Sequence, residues 1–158
     1  MQLKNFLKTL PVFASSNFSE ADIDVLAKAL YVEEYPDGHA FTYQNKQGQN
    51  LYLLIDGAVQ VSRNDEITGE EQKLKVLHSG ELFGLLSLLD NMPATATCAA
   101  VGPVTVALLP RVAFNLLFQS AAPIAYHFQF LVANQLARDI QDRNRSLRTL
   151  LRQFTATQ

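Results

Sequence analysis

Hydrophobic positions in the amino-terminal part of the chain recur at helical spacing. They predict a first amphipathic helix over Leu3–Leu10, which Pro11 ends. A second helix is expected to open at the N-cap residue Ser19, with an acidic first turn, and to end near Leu30. The apolar positions of the two helices are Leu3, Phe6, Leu7 and Leu10, and then Ile23, Leu26, Ala27 and Leu30.

Beyond the second helix the pattern changes to short segments between recurring glycines and prolines. Their spacing of about 8–12 residues is typical of an antiparallel sandwich or barrel. The apolar run Leu51–Ile55 predicts a strand buried on both faces. The alternating segment Ala58–Ser62 predicts a strand with Val59 and Val61 on one side. Asp56-Gly57 between the two segments predicts a hairpin turn.

The rest of this region predicts further strands, about eight in all. The polar segment Asn64–Glu71 predicts a surface loop. The strand Lys73–His78 follows, and its alternation predicts that Leu74 and Val76 are buried. Two more strands, on either side of a Gly102-Pro103 turn, are predicted over Thr97–Val101 and Val104–Leu109.

The helical period returns at the carboxyl-terminal end. Arg111–Gln119 predicts a short helix, and Pro123 suits the first turn of a long one. Ile124–Phe154 contains no glycine or proline, which corresponds to roughly 45 Å of helix. We interpret residues 124–134 as packing on their own domain and the residues beyond 135 as contacting a second chain. The heptad positions that predict this homodimer are Leu136, Ile140, Arg143, Leu147, Leu150 and Phe154.

Composition and charge restrict the class of protein. The 158 residues are 48% hydrophobic and 18% charged, with a net charge of −2 and a pI near 5.9. Residues 1–123 carry 8 basic and 13 acidic side chains, whereas residues 124–158 carry 5 arginines and 2 aspartates. We interpret the arginines as a solvated helix face rather than a nucleic-acid contact. The predicted organisation is a roll with amino-terminal helices, 1–123, followed by a dimerisation helix and tail, 124–158.

A single cysteine, Cys98, excludes an internal disulfide and a Cys₂His₂ zinc site, and its strand position predicts a small core residue. The sequence shows no membrane span and no signal peptide, so a cytoplasmic location is expected. The three histidines share no ligand spacing, and no Ser/His/Asp or paired-carboxylate arrangement stands out. We therefore predict no metal site, no catalytic residues and no cofactor, and do not expect an enzyme.

Four segments carry a resemblance to a known family: Tyr35–Gly38, Gln49–Val61, Leu77–Asp90 and Pro93–Thr97. They resemble the cyclic nucleotide-binding domain of Crp/Fnr regulators, protein kinase A regulatory subunits and gated ion channels. Gln49–Val61 is similar to the family's strand pair with a central glycine, and Leu77–Asp90 resembles the start of its phosphate-binding cassette. Pro93–Thr97 resembles the end of that cassette, and the final helix resembles the family's dimerising helix. The resemblance covers residues 10–153 and implies an antiparallel β jelly roll flanked by helices: two short ones before the roll, and a short and a long one after it.

The cassette also has a physical interpretation of its own. Gly80 and Gly84 bracket a tight turn, and a short helix predicted over Leu85–Leu89 would point free backbone N–H groups at the cavity. Ser87, Thr95 and Thr97 would add hydroxyl groups. The predicted ligand pocket consists of Gly84, Leu85, Leu86, Ser87, Ala94, Thr95 and Ala96.

Two positions in this pocket depart from the family pattern. Leu85 stands where the family has the glutamate that accepts from the ribose hydroxyl, and Ala94 stands where it has the arginine that pairs with the cyclic phosphate. Glu81 is not assigned the ribose role. The resemblance therefore implies a cyclic nucleotide pocket, and these residues predict weak or absent binding of cAMP and cGMP. The pocket is expected either to be empty and structural or to hold a less charged small molecule.

The sequence leaves several functions open. The favoured one is a regulatory or sensor module for signal transduction that acts on an unidentified protein partner through its long helix. The alternatives are a genuine cyclic nucleotide-binding regulator, a ligand-free scaffold or interaction protein, and the sensor fragment of a Crp/Fnr transcription factor. The sequence after the long helix contains no DNA-binding domain. We expect a stand-alone module that has no DNA-binding domain and makes no contact with a membrane.

Overall fold

The computed structural model describes residues 3–10, 13, 18–84, 88, 92–120 and 122–156. The helices are α1 (Leu3–Thr9), α2 (Glu20–Ala29), α3 (Arg111–Ser120) and α4 (Ala122–Ala156). The strands are β1 (Tyr31–Tyr35), β2 (Ala40–Thr42), β3 (Asn50–Asn64), β4 (Glu71–Leu77), β5 (Leu82–Phe83) and β6 (Thr97–Pro110). This order confirms the predicted arrangement of two short helices, a β region, a short helix and a long helix.

The second helix begins as its sequence predicts. The Ser19 hydroxyl accepts a hydrogen bond from the Asp22 backbone N–H at 3.1 Å, and the Asp22 carboxylate accepts one from the Ser19 N–H at 2.9 Å. This reciprocal pair satisfies two N–H groups at the amino-terminal end of the helix. Lys4 of α1 lies 2.6 Å from the Asp24 carboxylate, so charged side chains also link the two amino-terminal helices.

The strands form an antiparallel sheet in the order β1-β6-β3-β4, with β2 paired to β6 and β5 paired to β3. The long strands β3 and β6 pair from Asn50 opposite Pro110 to Ser62 opposite Thr97. The predicted two-sided burial of Leu51–Ile55 is confirmed for its first four residues, which are all buried. Because side chains alternate along a strand, β3 contributes to a core layer on each face.

The two core layers have different neighbours. The helix-facing layer packs β3 and β6 against α1, α2 and α3, whereas the inner layer lies on the opposite face of the sheet. The buried members of the helix-facing layer are Phe6, Leu7, Leu10, Phe13, Ile23, Leu26, Leu51, Leu53, Leu88, Ala107, Leu109, Phe114 and Leu117. Those of the inner layer are Phe41, Tyr52, Leu54, Val59, Val61, Leu77, Phe83, Cys98, Ala100, Val104, Val106 and Leu108.

The predicted turns at Asp56-Gly57 and Gly102-Pro103 are wrong, because β3 and β6 each run through these residues as one strand. An irregular pairing stands there instead, in which Gly57 alone faces residues 102–104. Gly57 has φ +96°, and a Cβ atom at this position would lie 2.8 Å from the Pro103 carbonyl oxygen. The glycine thus permits a close approach between strands rather than a reversal. Four predicted strands are therefore two continuous ones, β3 and β6, and the described part of the chain has six strands instead of about eight.

The predicted burial of Leu74 and Val76 is also wrong. Their exposed fractions are 50% and 41%, whereas Leu77 is buried at 2%. Leu77 pairs with Val59, and residues directly opposite each other point to the same side of the sheet. The alternation favours burial of Leu74 and Val76, because the charged Lys75 lies between them, but the register with β3 turns Leu77 inward instead.

The long helix predicted over Ile124–Phe154 is confirmed as α4, which begins at Ala122 with Pro123 in its first turn. Leu136 is half-buried and packs against the helix-facing layer. The later seam positions Ile140, Arg143, Leu147, Leu150 and Phe154 are all exposed. Across the described residues, α4 included, no helix combines the length and apolar character that crossing a membrane requires.

Candidate functional site

A group of aromatic side chains lines one part of the inner layer. The rings of Tyr52 and Phe83 stack with centroids 5.0 Å apart, and Phe41 lies edge-on to them at 5.1 and 5.4 Å. Tyr35 and His39 stack at 4.2 Å, and each meets Phe41 edge-on. This packing gives the roll an apolar wall next to the predicted pocket, because Phe83 directly precedes Gly84, the first pocket residue.

Gly84 occupies the start of the cassette in a conformation that suits glycine. Its φ is +80°, and a Cβ atom would lie 2.8 Å from the Asn50 carbonyl oxygen and 3.2 Å from the Tyr52 ring. β5 therefore ends against β3 with no room for a side chain at residue 84. The predicted pocket residues Leu85, Leu86 and Ser87, and the greater part of the helix predicted over Leu85–Leu89, lie outside the described residues.

The turn before Gly84 engages the carboxylate of Glu81. The His78 backbone N–H donates to Glu81 Oε2 at 2.6 Å, and the Glu81 N–H donates to the His78 carbonyl oxygen at 3.1 Å. Gly80 N–H donates to the Leu54 carbonyl oxygen, and Leu54 N–H donates to that of Glu81. Glu81 thus closes the turn between β4 and β5 and ties it to β3.

Ala94, at the end of the cassette, is buried and fixed by backbone hydrogen bonds. Its N–H donates to the Lys46 carbonyl oxygen at 2.8 Å, and its carbonyl oxygen accepts from the Asn45 N–H at 2.8 Å. Ala96 packs beside the inner layer, and its carbonyl oxygen accepts from the Thr42 hydroxyl at 3.2 Å. Thr95 between them is exposed. Of the described pocket residues, Gly84, Ala94 and Ala96 are therefore buried or half-buried in the roll, whereas the Thr95 side chain is exposed at its surface.

Lys75 is a residue that the sequence analysis did not single out as functional. It pairs with Val61 on β3, which places it on the inner-layer side of β4 together with Leu77. Its Nζ lies 3.2 Å from Asp139 Oδ1 on α4. These residues are 64 positions apart, so no local pattern could have predicted their contact. The register of β4 with β3 fixes the side of the sheet on which Lys75 lies.

Cys98 pairs with the same residue of β3 as Lys75, from the other side. It is buried, which confirms the prediction of a small core residue. Burial raises the pKa of its thiol, and a hydrogen bond with Thr42 and the positive charge of Lys75 act in the opposite direction with smaller effect. Lys75, Val61 and Cys98 thus form a row across three neighbouring strands.

The family comparison agrees with this geometry. The profile of the cyclic nucleotide-binding domain matches residues 32–121, from β1 to the end of α3. The chain therefore belongs to the cyclic nucleotide-binding domain family. The predicted fold class, a mainly β antiparallel jelly roll with helices before and after it, is confirmed by the solved structures to which the chain is similar.

Three relatives illustrate the range of this similarity. The cAMP-dependent protein kinase regulatory subunit of Blastocladiella emersonii is 35% identical over 75% of this chain and 29% of its own length. The crystal structure of Thermus thermophilus catabolite activator protein is 30% identical with a TM-score of 0.72, over 89% of this chain and 62% of that one. The third is the regulatory subunit of a cAMP-independent protein kinase A from Trypanosoma cruzi bound to guanosine, 26% identical with a TM-score of 0.67, over 80% of this chain and 43% of that one. The chain spans less than two thirds of each.

Proposed function

We propose that this chain is a regulatory module whose cyclic nucleotide-binding domain binds cAMP and cGMP weakly or not at all. The observation that carries the proposal is Ala94, a buried alanine held between backbone hydrogen bonds where the family has the arginine that pairs with the phosphate. Removing one partner of a buried charged pair weakens binding by about 2–5 kcal/mol. At about 1.4 kcal/mol for each tenfold change, this corresponds to roughly 30- to 3,000-fold in affinity. Leu85 in place of the ribose-binding glutamate adds to the loss.

The relatives support two kinds of ligand. The Trypanosoma cruzi regulatory subunit is described as cAMP-independent and is bound to guanosine, a nucleoside without a phosphate. This supports a ligand for the present roll that does not depend on a phosphate-binding arginine. The Blastocladiella emersonii subunit is described as cAMP-dependent, which supports the second candidate, a genuine cyclic nucleotide sensor. A module of either kind regulates a partner and needs no catalytic group of its own.

We propose further that the module is a homodimer through α4 and transmits its state through this helix to a protein partner. The support is the apolar seam, in which Ile140, Leu147 and Leu150 are 60%, 55% and 60% exposed. Exposed apolar side chains at heptad spacing are favoured where a second helix covers them. Light scattering at micromolar concentration should give twice the chain mass, and Leu147→Glu should give a monomer. A monomeric wild type would contradict the dimer.

The ligand proposal is tested by restoring the two family residues. Ala94→Arg and the double variant with Leu85→Glu are titrated with cAMP in a calorimeter beside the wild type. The control is Thr95→Arg, which adds the same charge one residue away on an exposed side chain. We expect the double variant to bind at least about 30-fold more tightly than the wild type, and the control to remain at the wild-type level. Equal binding by the wild type and the double variant would contradict the proposal.

A further inference from the structure

An ion pair joins the inner-layer side of the roll to the long helix. Lys75 Nζ of β4 lies 3.2 Å from Asp139 Oδ1 of α4. The two side chains are 36% and 41% exposed, so the contact stands at the border between the roll interior and solvent. Ion pairs with this much solvent access are weak. The contact is therefore one that another anion can displace.

The position of Lys75 is set by the sheet. Its strand partner Val61 and its neighbour Leu77 both belong to the inner layer, and Cys98 lies opposite Val61 on the next strand. Adjacent strands are about 4.8 Å apart, so the Lys75 backbone lies next to the strand that carries Val61. The influence of the Lys75 charge on the pKa of the Cys98 thiol agrees with this proximity.

The segment that precedes Cys98 in the sequence is the end of the predicted cassette. Ala96 lies two residues before Cys98 in the sequence and packs against the inner layer, and Ala94 lies two residues before Ala96. The phosphate-binding position at residue 94 has no charge, whereas Lys75 brings a cation to the inner-layer side of the roll. A ligand with an anionic group therefore has a binding partner in Lys75 that the cassette itself does not offer.

We propose that Lys75 is the anion-binding residue of this roll and that Asp139 of α4 occupies it when no ligand is bound. A small molecule with a phosphate group and the Asp139 carboxylate then compete for the same ammonium group. Ligand binding separates Asp139 from Lys75 and loosens the contact between α4 and the roll. The proposal rests on the proposed function, because a cassette that still held its arginine would bind the phosphate elsewhere.

The test distinguishes binding of the phosphate group from binding of the nucleoside. Adenosine 5′-monophosphate, adenosine and inorganic phosphate are titrated into isotopically labelled protein, and backbone amide shifts are followed by nuclear magnetic resonance. We expect adenosine 5′-monophosphate to bind more tightly than adenosine, and Lys75→Gln to remove this preference. The control is Lys73→Gln, which removes the same charge from an exposed side chain of the same strand and should keep the preference. Phosphate alone should shift the β4 amides in the wild type and not in Lys75→Gln.

The competition has its own readouts. Asp139→Asn should tighten binding of adenosine 5′-monophosphate by up to about fivefold, which corresponds to the interaction free energy of a partly exposed ion pair. It should also speed amide hydrogen exchange around residue 139 of α4 in the absence of ligand, as saturating ligand should in the wild type. Equal loss of the preference in Lys75→Gln and Lys73→Gln, or unchanged affinity in Asp139→Asn, would overturn the inference. Tight cAMP binding by the wild type would instead refute the proposed function, and the two failures are therefore distinguishable.

Discussion

Gly57 permits the close approach of β3 and β6, and Gly57→Ala tests this packing. The backbone at this residue has φ +96°, which costs an alanine about 1–2 kcal/mol. The new methyl group would lie 2.8 Å from both the Pro103 carbonyl oxygen and Val104 Cγ1. Relieving such an overlap in a packed sheet costs about 1–3 kcal/mol more. We therefore expect the free energy of unfolding to fall by about 2–5 kcal/mol.

Gly69→Ala is the matched control for this variant. Gly69 also has a positive φ, +73°, but a methyl group there would meet no atom within 4 Å. Its expected cost is the conformational part alone, about 1–2 kcal/mol. Urea unfolding followed by circular dichroism gives both values under the same conditions. If Gly57→Ala proved no more destabilising than Gly69→Ala, the close approach of β3 and β6 at this point would be refuted.

Three further predictions concern the core, a helix cap and a titrating group. Leu109→Ala removes a fully buried side chain and should lower the free energy of unfolding by about 2–5 kcal/mol, whereas Leu74→Ala should cost about 1 kcal/mol or less; similar urea midpoints for the two would contradict the register of β4. Ser19→Ala removes the capping hydroxyl of α2 and should cost about 0.5–2 kcal/mol; an unchanged thermal midpoint would argue against the cap. The hydrogen bond from the Tyr35 hydroxyl to the Glu33 carboxylate, with burial as a smaller cause, raises the pKa of Tyr35 to about 12. Its stabilising contribution is complete below the unfolded pKa near 10 and is lost as pH rises through 12. Absorbance titration should therefore show that Glu33→Gln returns the pKa of Tyr35 towards 10, and the same late titration of Tyr35 in both proteins would exclude this cause.

The helices were predictable because their information is local. The capping residue Ser19, the heptad spacing beyond Leu136 and the absence of glycine and proline all act within a few turns of helix. The strands were less predictable. Asp-Gly and Gly-Pro favour turns in isolation, yet β3 continues through Asp56-Gly57 and β6 continues through Gly102-Pro103. Pairing along nearly the whole length of the two strands outweighs the local preference. The face of β4 was likewise decided by its register with Val59 and Val61 and not by its own alternation.

The candidate site, too, could be predicted from the sequence only in part. The frame of the cassette was recognisable because glycines and the Pro93–Thr97 segment are needed at fixed places along the chain. The structure gives a reason for one of these, the close approach of Gly84 to the Asn50 carbonyl oxygen. The contact between Lys75 and Asp139 was not predictable, because it depends on where α4 lies against the roll.

Strong binding of a cyclic nucleotide by the unmodified chain is the result that the proposed function excludes. Calorimetric titration of the wild type with cAMP, and then with cGMP, tests this directly. We expect no saturable heat and no shift of the thermal midpoint at micromolar ligand, because Ala94 cannot pair with the cyclic phosphate and Leu85 cannot accept from a ribose hydroxyl. Saturable binding at micromolar cAMP would contradict it and would mean that other groups of the roll supply both contacts.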